Sequence, residues 1–183
     1  MYGKNTEVFD RIFGQDHFPP ERVEELSMKK ERKYQKEYLP HISLLKGFQD
    51  FLERSEQQGI PMAIGSAAIT FNIDFILDNL HLRHFFKAII SADDVAASKP
   101  DPETFIKCAK LLQVPPMNCL VFEDAPKGVE AAQKAGMRSV ALTTMHSKEE
   151  FEKYNNVISF IEDYSQITPE QFFKMNSIPA TKI

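Results

Sequence analysis

Apolar residues recur along this chain at two distinct spacings, and the changeover falls near residue 39. Up to that point the sequence is charged and helix-periodic. Val8, Phe9, Ile12 and Phe13 form one short apolar stripe, and Val23, Leu26 and Met28 begin another. Pro19 and Pro20 fix φ and supply no amide donor, so the spacing predicts a turn there and a new helix after it. Beyond Leu39-Pro40 the pattern alternates. Leu44, Leu45, Phe48 and Leu52 predict a helix over 43–58, with Gly59 as its C-terminal cap. Short apolar runs at 60–64, 88–91, 119–122 and 139–142 predict buried strands, with a fifth at 157–161. Helical spacing returns over 71–80, 102–112 and 126–135, the last ending at Gly136.

Short apolar strands alternating with amphipathic helices imply a parallel sheet covered on both faces. Right-handed crossovers make this a three-layer, doubly wound, Rossmann-like α/β fold. Residues 1–38 carry too little apolar surface to fold alone and read as a helical appendage to a core over 39–183. In such sheets ligands collect beyond the carboxyl ends of the strands, so those ends are where chemistry is expected.

Composition narrows the partners. A chain of 183 residues with net charge −4 has no electrostatic footprint for nucleic acid. The lysines and glutamates that alternate between Glu21 and Glu37 read as a solvated helical face. Cys108 and Cys119 are the only cysteines, and neither has the spacing of a zinc site or a disulfide framework. No apolar run has signal-peptide character or the length to span a bilayer, so the expectation is a reduced, cytoplasmic protein. The oligomeric state is not legible.

Three strand ends carry polar groups. Ser66, in Gly65-Ser66-Ala67-Ala68, can offer its hydroxyl and nearby amides to an anion, although alone it reads first as a turn residue or helix cap. Asp101 and Pro102 are an N-cap and a first helical residue, which leaves Lys99 in Ser98-Lys99-Pro100 without a structural role. A lysine held beside a rigid helix start suits a phosphate or a carboxylate, and in isolation it also suits plain surface exposure. Glu123 and Asp124 end the third strand. Adjacent carboxylates are costly without a cation or several donors, and Mg²⁺ takes carboxylate, water and phosphate oxygens. The alternative is that Asp124 caps the next helix while Glu123 faces solvent. Because the three groups end successive strands, folding is expected to gather them in one crevice.

The stretches Ala63-Ile64-Gly65-Ser66-Ala67, Ser98-Lys99-Pro100-Asp101-Pro102-Glu103 and Val121-Phe122-Glu123-Asp124-Ala125, with Gly128 to Met137 following, resemble the haloacid-dehalogenase superfamily. The similarity is to its helical-cap branch, which includes β-phosphoglucomutase and sugar-phosphate phosphatases. The resemblance implies phosphate binding by Ser66 and the Ala67 backbone. It implies that Lys99 stabilises the nucleophile and the transferring phosphoryl group, and that Glu123 and Asp124 hold Mg²⁺. It implies a partial helical cap over 1–38, with Gly3 and Lys4 near substrate, and a small phosphorylated metabolite as substrate. His41 stands where many relatives have glycine.

The family's first motif, an apolar strand ending in Asp-x-Asp-Gly that supplies the nucleophile, does not occur here. Asp10 lies in a helical context, without the second aspartate or the glycine. The expectation is therefore a core lacking its first strand, with an open sheet edge, and a chain inactive by itself. Either the natural product is a Mg²⁺-dependent phosphatase or mutase working through an aspartyl-phosphate, or the fold survives as a non-catalytic phosphate- or partner-binding module.

Overall fold

The protein is described by a computed structural model covering residues 5–15 and 17–176. Two helices come first, α1 (Asn5–Phe13) and α2 (Pro20–Tyr38), with Pro19 leading α2 in an extended conformation. There follow α3 (Phe48–Gln57), β1 (Met62–Gly65), α4 (Thr70–Asn79), β2 (Phe86–Ile90), α5 (Glu103–Leu112) and β3 (Leu120–Glu123). The described chain closes with α6 (Pro126–Lys134), β4 (Arg138–Leu142), β5 (Val157–Ile161) and α7 (Pro169–Asn176). Gly3 and Lys4 lie outside the described residues.

Among the described residues all strand pairing is parallel, as the alternating pattern predicts, but it falls into two pieces. β1 pairs with β2, and β3–β4–β5 form a separate set. Strand alternation sorts the core into layers. Met62 and Ile64 of β1 face α3 and α4, where Leu52, Ile73 and Leu77 pack, while Ala63 faces the opposite side beside Cys108 of α5. On β3, Leu120 and Phe122 face Phe51 of α3, and Val121 faces Phe105 and Ala109 of α5 together with the alanines of α6. Thus α3 spans both sheet pieces on one face and α5 spans them on the other.

Two boundaries differ from the pattern. The helix expected over 43–58 begins only at Phe48. Gly47 sits at φ +78°, and a Cβ there would fall 2.5 Å from the Ser165 nitrogen, so the chain turns at this point under the 3-10 turn Tyr164–Gln166 before the helix can start. Tyr164 N–H donates to the Lys46 carbonyl across that contact. The second difference is that β3 includes Glu123 as its last residue, which turns that side chain into the layer beneath α6. The final helix, α7, was not legible as a periodic segment; its short stripe is set by Phe172 docking on the Phe122 ring.

Candidate active site

β1 delivers Ser66. Its amide donates to the Ile90 carbonyl of β2 at 2.8 Å, so the residue continues the ladder by one step beyond the strand. The hydroxyl accepts from Ala68 N–H at 3.0 Å, a turn contact rather than a helix cap, since α4 begins later with Ile69 at its N-cap. Ala67 is exposed beside it.

β2 leads into a loop fixed by a capping box, in which Ser91 N–H and Oγ donate to the Asp94 carboxylate at 2.8 and 2.6 Å. These bonds hold the Asp94 carboxyl below the usual aspartate range. On the far side of the loop, Asp101 accepts from Glu103 N–H at 2.9 Å, but α5 starts one residue later than the Asp-Pro pair predicts, with Pro102 rather than Asp101 at its N-cap.

Lys99 sits between these anchors, and it is not a surface lysine. Its side chain is 11% exposed, with Nζ 4.4 Å from the Phe105 ring centroid. The ammonium donates to the Gly65 carbonyl at 3.1 Å and forms an ion pair with Glu123. One side chain therefore joins the carboxyl end of β1 to the carboxyl end of β3. Desolvation makes such a pair geometrically strict, because either charge left alone would be costly.

The acidic pair divides. Glu123 is 9% exposed, and besides Lys99 it accepts from Ala125 N–H at 3.3 Å. Asp124 is exposed and does not cap α6, whose N-cap is Ala125 with no side-chain cap bond. The solvent-facing member is thus Asp124, the reverse of the structural alternative raised by the sequence. Burial chiefly, and the Asp124 charge secondarily, raise the Tyr164 hydroxyl above its ordinary range. Among the described residues, no three carboxylate, imidazole or thiol groups converge on one point.

Three supporting residues escaped the sequence reading. Phe105 provides the apolar wall under Lys99. Gly128 makes room for Glu123, since a Cβ at this position would overlap the carboxylate. The available signal was a glycine in the first turns of a helix, where alanine is ordinarily preferred. Tyr164 wedges among Phe48, Phe51 and Phe122, and its position depends on a turn that periodicity does not reveal.

Beside Ser66 opens a cavity of about 360 Å³ between α2 and α4. Its walls are mostly aliphatic, and its polar members besides Ser66 are Glu31, Tyr34 and Asn72. Glu31 is only 6% exposed and accepts from Asn72 Nδ2 at 2.7 Å; Gln35 in turn donates to Asn72 Oδ1 at 3.2 Å.

These features define a doubly wound α/β protein whose polar groups gather where the strands end. More narrowly, residues 4–142 match the haloacid dehalogenase-like hydrolase family, and the chain belongs to it. It is 41% identical over 127 residues to a Haemophilus influenzae protein, covering 66% of this chain and 60% of that one. It is 45% identical over 80 residues to a fructose-1-phosphate phosphatase of Escherichia coli, covering 44% and 43%. Among solved structures, a β-phosphoglucomutase of Clostridium difficile superposes with a TM-score of 0.78 at 28% identity, over 93% of this chain and 76% of that one. The chain thus spans about 60% or less of the length of these two curated relatives.

Proposed function

We propose that this site is the phosphate-handling end of a phosphoryl-transfer enzyme, a phosphatase or phosphomutase acting on a small phosphorylated metabolite such as a sugar phosphate. The observation that carries the reading is the position of Lys99: a single desolvated ammonium touches the ends of β1 and β3, one residue from Ser66 and one from Asp124. In the low-dielectric setting beside Phe105, that charge attracts a phosphoryl oxygen more strongly than it would in water. Ser66 Oγ and the backbone amide of Ala67 bind and orient the same group. Glu123 holds Lys99 in place and is itself held by Ala125. We read 1–38 as part of a cap that, with Glu31 and Asn72 beside the cavity, faces the rest of the substrate.

The donor chemistry fits Mg²⁺. It is a hard cation that keeps several waters and shares a few carboxylates with substrate phosphate. Asp124, exposed at the strand end, would hold it directly, and Glu123 from beside it. When bound, Mg²⁺ supplies neutralisation of phosphate charge. Residues 1–183 contain no Asp-x-Asp-Gly stretch to supply the nucleophile, so these residues alone should turn over no phosphate ester.

A non-catalytic phosphate-binding role is the second reading, and the closed Lys99–Glu123 pair is what favours it. Calorimetric titration with fructose 1-phosphate and Mg²⁺ tests both. Binding that is strengthened by Mg²⁺ and abolished in Lys99→Met supports a phosphate site. Mg²⁺-independent binding, or binding unchanged in the variant, would remove the metal or the lysine from it. Mg²⁺-dependent hydrolysis of an aryl phosphate by the wild-type chain would refute its inactivity.

A further inference from the structure

By strand alternation Ile64 and Ser66 lie on the same face of β1, and both line the cavity of about 360 Å³ between α2 and α4. Ile73, Ile76 and Leu77, one stripe of α4, supply most of its aliphatic wall. Its size and its largely apolar lining are those of a small-molecule site, in which a few placed polar groups decide what binds. Among the described residues that line it, the only charged one is Glu31 of α2.

A carboxylate at 6% exposure is costly to bury, so its partners matter. Lys30 meets Glu31 Oε1 at 2.7 Å from a position that is itself 54% exposed. Asn72 Nδ2 donates to Glu31 Oε2 at 2.7 Å. Gln35 fixes that amide from the other side, donating to Asn72 Oδ1 at 3.2 Å and to the Phe71 carbonyl at 3.0 Å. A tie between α2 and α4 would need no charge, because glutamine would accept from Asn72 as well. A carboxylate offers about four acceptor sites, more than these two bonds take. Beside it, burial first, and then Tyr38 and the Glu31 charge, raise the Tyr34 hydroxyl above its ordinary range, so it stays protonated and free to donate.

We propose that Glu31 sets the substrate class of the phosphate site: the site takes the phosphate monoester of an uncharged polyol or sugar, one of whose hydroxyls donates to the Glu31 carboxylate, and rejects esters that carry a second anionic group. On the phosphate reading of Ser66 and Lys99, on which this assignment rests, the ester's carbon chain extends from Ser66 over Ile64 and the α4 stripe toward Glu31. A hydroxyl arriving there forms a charge-assisted hydrogen bond. A second phosphate or a carboxylate meets a like charge in an aliphatic enclosure, where repulsion is screened far less than in water. Lys30 offsets that repulsion weakly, since its ammonium is largely in solvent. A sugar bisphosphate, which a phosphomutase must hold between its two transfers, is such a ligand. The lining therefore points to the phosphatase of the two enzymatic readings.

The test is calorimetric titration of the 183-residue chain, with Mg²⁺ present, against orthophosphate, fructose 1-phosphate, fructose 1,6-bisphosphate and phosphoglycolate. Fructose 1-phosphate should bind at least roughly tenfold more tightly than orthophosphate, and the two dianionic-plus esters no more tightly than orthophosphate. In Glu31→Gln, which keeps an acceptor for Asn72, the preference for the monophosphate over the bisphosphate should shrink at least roughly tenfold. A role confined to tying α2 to α4 would leave that preference unchanged, and such a result overturns the proposal. So does wild-type binding of the bisphosphate or of phosphoglycolate as tight as that of fructose 1-phosphate, a comparison that needs no variant. The two possible failures are distinguishable. Orthophosphate binding that is lost in Lys99→Met, with no preference among the esters, overturns the role of Glu31 and leaves the phosphate site standing. No binding of orthophosphate, or binding unchanged in Lys99→Met, removes the phosphate site and the Glu31 assignment with it.

Discussion

Removing the charge from Lys99 gives a quantity that can be worked out beforehand. In Lys99→Met the Glu123 carboxylate keeps its 9% exposure and the Ala125 amide at 3.3 Å, but loses its counter-charge. Breaking a buried pair by deleting one partner costs about 3–5 kcal/mol. The pair lies near the strand ends, where Lys99 is 11% exposed, so the lower end applies, about 3 kcal/mol. Taking a urea m-value of about 2 kcal/mol/M, the unfolding midpoint should fall by roughly 1.5 M. Adding Glu123→Gln to that variant removes the stranded charge and should recover at least about half of the loss, giving a coupling of roughly 1.5 kcal/mol or more. Equilibrium urea unfolding of the two single variants, the double variant and the wild type closes the cycle. Additive losses, or a cost below about 1 kcal/mol for Lys99→Met, would mean that the two groups are solvated and that the desolvated site described above is wrong.

Other expectations are smaller. Gly128→Ala should cost about 1–3 kcal/mol in the same assay, because the new methyl displaces the Glu123 carboxylate; a neutral result would show that the helix can shift away. Cys108, whose thiol burial pushes up to about 11, should alkylate at pH 8 roughly two orders of magnitude more slowly than a free thiol; labelling at the free-thiol rate would contradict its place under β1. The Asp94 carboxyl is held below its ordinary range by Ser91, so it stabilises the fold above the unfolded aspartate value of about 3.9 and loses that contribution as pH falls through its lowered native value. Asp94→Asn should therefore flatten the decline of Tm in that acid window, and a decline identical to wild type would refute the link.

Much of the architecture is visible in the sequence because periodicity reports burial. Val140, Ala141 and Leu142 are apolar in succession since helices cover both faces of β4. Ser66 and Glu123 could be placed at strand ends for the same reason, whereas Lys99 lies nine residues past the end of β2 and reaches the ends of β1 and β3 from the loop before α5. What periodicity does not report is where a side chain is shared between elements. Glu123 and Asp124 look equivalent in sequence, and only the register of β3 sends the first inward to Lys99 and leaves the second in solvent. The start of α3 was hidden similarly. Gly47 is required by the approach of the Ser165 backbone, a contact more than a hundred residues away along the chain. Glu31 reads as one charge in a solvated helix, and its burial comes from Asn72 of α4.

The measurement that bears most directly on the site is a nitrogen-15 NMR titration of the chain with orthophosphate in the presence of Mg²⁺. The amides of Ser66, Ala67 and Ala68 are predicted to move together with those of Asp124 and Ala125, and the movement should vanish in Lys99→Met. Shifts confined to other surfaces, or shifts at Ser66 to Ala68 that survive in Lys99→Met, would contradict a phosphate site centred on Lys99.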